Sequence, residues 1–272
     1  MKQPDELAGF DPQATYVAAA VDYEKASSAY WSFLGERTVA RLASQPGATV
    51  LDAACGTGSS ALPAAELVGP SGHVIAVDYA EQMLALARAK VQQRGLQNIE
   101  FRVADMKDLG FPDEQFDAVI CVLGIFFVDD MVKQIAELWR MVRPGGHLAL
   151  ANVGPHFFTP LYDVWKAAVL AERPDMHIAP PWERTNDPVV VRQLMANGGV
   201  PKAAVIIEHN SLRLTSPAEW WSIVIGTGLR RYVDEMGPEV AARVREHNLA
   251  WAQANGITSL TLSAIYALAT KD

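Results

Sequence analysis

The stretch TVLDAACGTGSSA at residues 49–61 constrains this chain more than any other. Val50 and Leu51 read as a buried strand and Asp52 as a carboxylate at its end. Gly56 and Gly58 then make a tight turn before a run of small residues that opens a helix. In an open parallel sheet, ligands bind outside the carboxyl ends of the strands, and a nucleotide-like ligand sits at the first strand–turn–helix. Glycine serves there because a missing side chain lets backbone N–H groups approach a ligand closely.

Two ligand classes use such a turn. Gly56, Gly58 and Ala61 satisfy the loose G-x-G-x-x-G/A pattern of dinucleotide sites, and Asp78 follows at about the spacing that pattern expects. Asp52 argues the other way. A carboxylate just before the turn would face a pyrophosphate, and like charges at short range repel. The same carboxylate suits a cationic ligand such as S-adenosylmethionine, which carries an ammonium and a sulfonium and no phosphate.

Four blocks extend the pattern: LDAACGTG at 51–58, VIAVDYAEQML at 74–84, VADMKDLGFPDEQFDAVICVLGI at 103–125 and LWRMVRPGGHLAL at 138–150. In this order and spacing they resemble the class I S-adenosylmethionine-dependent methyltransferases. Within that class the chain is most similar to the ubiquinone/menaquinone C-methyltransferase-like group (methyltransferase domain 11/25 type). That group's third block reads D-x-x-x-L-P-F-x-D-x-x-F-D. Asp105 to Asp117 follows it, with Gly110 departing within the leucine–proline pair. After Gly146 the chain has His147-Leu148-Ala149-Leu150-Ala151-Asn152, where a quinone C-methyltransferase would end its strand in glutamate–phenylalanine. The resemblance therefore implies the donor and not a quinone acceptor. The alternatives are an NAD(P)-dependent oxidoreductase on a Rossmann sheet and a non-catalytic donor-binding protein.

The alternation of elements predicts an α/β fold, a Rossmann-like sheet with helices on both faces. Strands are expected at 48–53, 73–78, 99–104, 116–122 and 147–153, with helices at 59–68, 80–94 and 129–142 between them. Two further strands, 203–214 and 259–270, would close the sheet as an antiparallel edge pair. The resemblance implies seven strands with only the last reversed. Residues 1–45 form an amino-terminal helical cap of two helices, after a mobile segment at 1–13. Residues 46–155 form the donor-binding core. Residues 156–272 add helical inserts (160–171, 187–197 and two or three more within 217–255) and the last two strands, all within a single domain.

The resemblance assigns Asp52 to the methionine ammonium and Asp78 to the ribose, with Ala54, Gly56, Thr57 and Gly58 around the methionine moiety. Tyr79 and Met83 flank the adenine, Asp105 accepts from its N6 beside Ala104 and Met106, and Leu123 lies where sulfonium and acceptor meet. Asp78 and Asp105 have a second reading as helix caps or turn residues. Displacement at a sulfonium needs alignment more than acid–base help. Should a base be used, His156 is the candidate, since its pKa lies near working pH; otherwise it is a solvated loop histidine. Tyr16, Tyr23, Phe127 and Trp182 are the expected acceptor pocket, drawn from an aromatic set of which half belongs to the core.

The chain has 272 residues, half of them hydrophobic, a net charge of −8 and two cysteines, Cys55 and Cys121. Two separated cysteines give neither a disulfide framework nor a metal site. The acidic balance, with no basic run beyond Arg230-Arg231, speaks against nucleic acid. With no signal peptide or apolar span, a cytoplasmic location and no membrane partner are expected. The expected partners are S-adenosylmethionine, its product S-adenosylhomocysteine and a small-molecule acceptor, in a monomer or homodimer.

Overall fold

A computed structural model describes residues 11–272, and for 18–29 the backbone alone. The expectation for 1–10, and that for the Tyr23 side chain, lie outside the described residues. The described residues begin with one helix, α1 (Pro12–Val39), instead of the expected two. Asp11 caps it by accepting from the Ala14 N–H, and Pro12 occupies the first turn, where no N–H is needed. No proline interrupts the sequence up to Val39, so nothing forces a break.

The core alternates as expected. The first strand is β1 (Thr49–Asp52), followed by α2 (Ala61–Val68), β2 (His73–Asp78), α3 (Glu81–Arg94), β3 (Ile99–Val103), β4 (Phe116–Val122), α4 (Met131–Arg140) and β5 (Val142–Val153). The remainder holds α5 (Leu161–Glu172), α6 (Pro188–Asn197), β6 (Ala204–Arg213), α7 (Ala218–Ile225), α8 (Arg230–Ala254) and β7 (Ser259–Thr270). Two 3-10 turns, Ile125–Phe127 and Pro181–Thr185, will matter below. Gly237, at φ 77°, and Pro238 kink α8.

The seven strands run in the order β3-β2-β1-β4-β5-β7-β6. Only β7 is reversed, and it pairs antiparallel with both β5 and β6. The last strand therefore lies inside the sheet and β6 forms the edge. Its burial follows from its composition, LTLSAIYALA, which has almost no polar side to show to water. β5 starts five residues earlier than expected (Val142, not His147). The ladder with β4 jumps from Phe116–Val142 to Ala118–His147. Arg143-Pro144-Gly145-Gly146 is thus a bulge inside a strand, where the sequence reads as a turn. Proline without an N–H and Gly145 at φ 76° are tolerated at such an interruption.

One apolar cluster fills the face under α1, α2, α5, α7 and α8, with Leu34, Trp165 and Trp220 among its buried members. A second, under α4 and α6, is built on Leu51, Val119, Leu138 and Met195. Among the described residues no helix is long and apolar enough to cross a membrane.

α1 connects the sheet edge to the glycine turn. Near its carboxyl end Arg37 and Arg41 both pair with Glu208 of β6, and Arg41 lies 4.1 Å from the centre of the Tyr266 ring. At its other end Gln13 donates to the Tyr79 carbonyl at 2.9 Å. Between them, a Cβ on Gly35 would fall 2.0 Å from the Ser59 carbonyl oxygen, so backbone meets backbone there. Gly35→Ala is expected to lower unfolding stability by about 1–3 kcal/mol, the usual cost of overpacking. Chemical denaturation checks this; wild-type stability would mean that α1 does not hold the turn.

Candidate functional site

β1, β2, β4 and β5 end side by side, and their carboxyl ends floor a cleft. Its inner part has a cavity volume of about 90 Å³. Ala54, Gly56, Asp78, Tyr79, Met83 and Leu123 line this part. A neighbouring hollow is lined by Ala104, Asp105, Met106 and Lys107, with Asp11 to Gln13 of α1 across from them. Both hollows share Ala54, Asp78, Tyr79, Gly124 and Phe127, so they are two halves of one cleft.

Asp78 organises the turn. Its carboxylate accepts from the Gly56 N–H and from the Ala80 N–H, each at 2.9 Å. It is 8% exposed, and burial raises its pKa against the pull of these N–H groups. It therefore fills the turn-residue role and also lines the cleft. A carboxylate offers about four acceptor positions, and the Tyr79 N–H also draws on them, so capacity for a further hydrogen bond remains.

Asp52 lies one layer beneath the floor and does not line the cleft. It is fully buried and accepts from the Ser60 hydroxyl at 2.5 Å. Its other oxygen has no partner among the described residues. Burial is the largest cause that pushes its pKa up to about 7, opposed by the Ser60 hydroxyl and the Ala54 N–H. Ser60 and Ser59 do line the cleft. Sequence reasoning passed over both, because a small-residue run reads only as a helix start.

Thr57 and Gly58 shape the turn from outside the cleft. Thr57 is buried, with its hydroxyl and carbonyl 3.1 Å from the Lys90 ammonium of α3. Gly58, at φ 87°, leaves no room for a Cβ beside Leu62. Asp105 is exposed, accepts from the Lys107 N–H and pairs with the Lys107 ammonium at 3.2 Å. The Met106 carbonyl accepts from Gln134.

Of the expected acceptor residues, Tyr16, Phe127 and Trp182 line the inner cleft, and Tyr16 meets Phe127 edge-on at 5.6 Å. Trp31, Val153, Phe157, Phe158 and Thr227 join them. The Phe157 and Phe158 rings lie 3.8 Å apart, tilted by 32°, and continue to Trp182 and Trp220. Trp220 belongs to the core, where its indole N–H donates to Asn248. His156 does not line the cleft. It is exposed at φ 60°, and its carbonyl accepts from Thr159. The left-handed turn that brings Phe157 and Phe158 inward leaves His156 at the surface. Among the described residues no group of histidine, cysteine or carboxylate side chains is arranged to hold a metal.

The raised Asp52 pKa has a measurable consequence. Folded Asp52 keeps its proton between about pH 4 and pH 7, where the unfolded chain loses it. Its contribution to stability is therefore complete below this window and is lost as pH rises through it. Asp52→Asn is expected to melt above the wild type at pH 8 and with it at pH 4. A difference that does not change with pH would remove the assignment.

Comparison with known proteins agrees with this geometry. The profile of a methyltransferase domain matches residues 50–146. The demethylmenaquinone methyltransferase of Listeria welshimeri is 40% identical over 105 residues, which is 39% of this chain and 44% of that one. The Lactococcus lactis enzyme of the same name is 34% identical over 126 residues, 46% and 50% of the two chains. The chain thus spans about half the length of the curated relatives it matches. Among solved structures, the YcgJ protein of Bacillus subtilis superposes with a TM-score of 0.56 at 19% identity, covering 88% of this chain and 98% of that one. The [4+2]-cyclase SpnF does so with 0.56 at 18%, covering 96% of both, so the fold is shared by different chemistries. The residues that match the methyltransferase domain, 50–146, include the glycine turn and the ends of β1, β2 and β4 that floor the cleft.

Proposed function

We propose that the chain transfers a methyl group from S-adenosylmethionine to a small apolar or aromatic acceptor, releasing S-adenosylhomocysteine. The observation that carries this reading is the placement of Asp52 and Asp78. A dinucleotide pyrophosphate would need the turn's N–H groups and the positive end of α2. Here the Gly56 N–H is taken by Asp78, and the Ser60 hydroxyl at the start of α2 is taken by Asp52. The place of an anion is filled by two carboxylates. Asp78, which lines the cleft, fits a cationic ligand, and Asp52 beneath it keeps one buried oxygen without a partner among the described residues.

The donor supplies a methyl group on a positively charged sulfur whose departure needs no acid. The chain's part is to bind and align. Asp78 has acceptor capacity left for the ribose, and Tyr79 and Met83 offer apolar walls beside it. Asp52 acts through Ser60 and the Ala54 N–H on the backbone that faces the methionine end. The aromatic walls keep water from the reacting atoms, which strengthens every charge interaction inside.

The acceptor in the relatives' name is not carried over. Tyr16, Phe157, Phe158 and Trp182 line the acceptor side of the cleft, and all lie outside the matched residues 50–146. The methylated atom can be oxygen, nitrogen or carbon on this reading alone.

Calorimetric titration with S-adenosylhomocysteine, with NAD run alongside, tests the proposal. Binding of the first and not the second is expected, and binding of NAD alone would move the chain to the oxidoreductases. Asp78→Ala is expected to weaken S-adenosylhomocysteine about tenfold or more, the loss of a hydrogen bond to a charged group, while circular dichroism shows the fold retained. Unchanged affinity would remove Asp78 from the ribose.

A further inference from the structure

Little around Asp52 supports a charge. It is fully buried, and one of its oxygens has no partner among the described residues. The described titratable groups that face it are Asp78 at the end of β2, Cys55 in the glycine turn and Cys121 of β4, and none of these is a cation. Its hydrogen-bond donors are the Ser60 hydroxyl and the Ala54 N–H. A buried carboxylate with an open oxygen and a second carboxylate nearby is costly as an anion. In the empty cleft Asp52 is therefore a neutral acid up to about pH 7.

Ser60 connects this acid to the cleft. It holds the 2.5 Å bond to Asp52 and also lines the inner cleft. A serine hydroxyl has one proton and two acceptor positions. Beside the neutral acid, the Asp52 proton donates to the Ser60 oxygen, and the serine proton turns away. Beside the anion, the serine proton donates to Asp52, which leaves an acceptor position for the cleft. Only the second arrangement suits a cation. Resting on the methyltransferase reading above, we propose that Ser60 accepts a hydrogen bond from the ammonium at the donor's methionine end, and that this contact expels one proton from Asp52. The Asp52 O–H bond breaks, its electron pair stays on the carboxylate, and the proton goes to bulk water. A buried acid is thus replaced by an anion that faces a cation across one hydroxyl. An opposite charge nearby favours the ionised form, the more so where the dielectric is low. The sign of the linkage follows. Below about pH 7 the empty protein carries one proton more than the complex, so affinity for the donor rises with pH. Above it Asp52 is ionised before the donor arrives, and the dependence fades. The cleft loads its donor at neutral pH and sheds it on acidification.

Calorimetric titration with S-adenosylhomocysteine at pH 6, repeated in buffers of different ionisation heat, counts the protons released. The wild type is expected to release about one, and its affinity to rise about tenfold between pH 5 and pH 6. 5′-Methylthioadenosine keeps the nucleoside and the sulfur but has no ammonium, and it is expected to release none. Asp52→Asn should bind S-adenosylhomocysteine with no proton released and an affinity nearly flat over this range. Ser60→Ala keeps the acid and removes the connecting hydroxyl, and it should also release none. Circular dichroism at each pH checks that the variants keep the fold. Release that persists in Asp52→Asn would give the proton to another group, Asp78 first, and overturn the proposal. Release that persists in Ser60→Ala would overturn the contact through Ser60. Equal release with 5′-methylthioadenosine, or binding of S-adenosylhomocysteine to the wild type without release, would overturn the proposal as well. Failure of S-adenosylhomocysteine to bind at any pH would instead overturn the methyltransferase reading.

Discussion

Two carboxylates buried at the ends of neighbouring parallel strands set the terms for the rest of this structure. Asp52 and Asp78 end β1 and β2, and burial raises the pKa of both. Carboxylates so placed are unfavourable in the empty cleft and favourable beside a cation. The fold compensates locally with the Gly56, Ala80 and Ala54 N–H groups and the Ser60 hydroxyl. Those same bonds fix the shape of the glycine turn. One arrangement thus closes the loop, occupies donors that a phosphate would use and leaves the Asp78 carboxylate in the cleft lining.

The long first helix extends this control to the outside of the cleft. Its Arg37 and Arg41 are tied to Glu208 on the edge strand, its Gly35 touches the turn, and its Tyr16 forms part of the wall. Residues far apart in the chain, from Tyr16 to Thr227, therefore close around four strand ends. The two 3-10 turns are joined in the same way. Arg184 donates to carbonyls at Phe126, Val128 and Asp129, which fastens the Trp182 wall to the Phe127 wall.

Much of this was legible in the residues. Strands β2, β4 and β7 fall at the expected bounds, because apolar runs ending in an acid or a turn leave little choice of register. Local signals erred where a long-range contact decided the outcome. The Arg-Pro-Gly-Gly run reads as a turn and is a bulge, because β4 continues to pair beyond it. The last two strands do form the expected antiparallel pair at the sheet's edge, with β7 between β5 and β6. Within the site, the glycine motif marked Gly56 and Asp78 but could not separate residues that line the cleft from those that support it. Asp52, Thr57 and Gly58 sit behind or beside the lining, while Ser59 and Ser60 form it. The aromatic roster was visible as a list. Only packing distinguishes Trp182 in the wall from Trp220 in the core. His156 has the chemistry of a base, and a backbone turn keeps it at the surface.

A crystal structure of the protein grown with S-adenosylhomocysteine tests the central claim most directly. The account predicts ligand density along the carboxyl ends of β1, β2 and β4, with the ribose on the Asp78 carboxylate and the sulfur beside Leu123 and Gly124. Density elsewhere, or a ribose that does not reach Asp78, would contradict it.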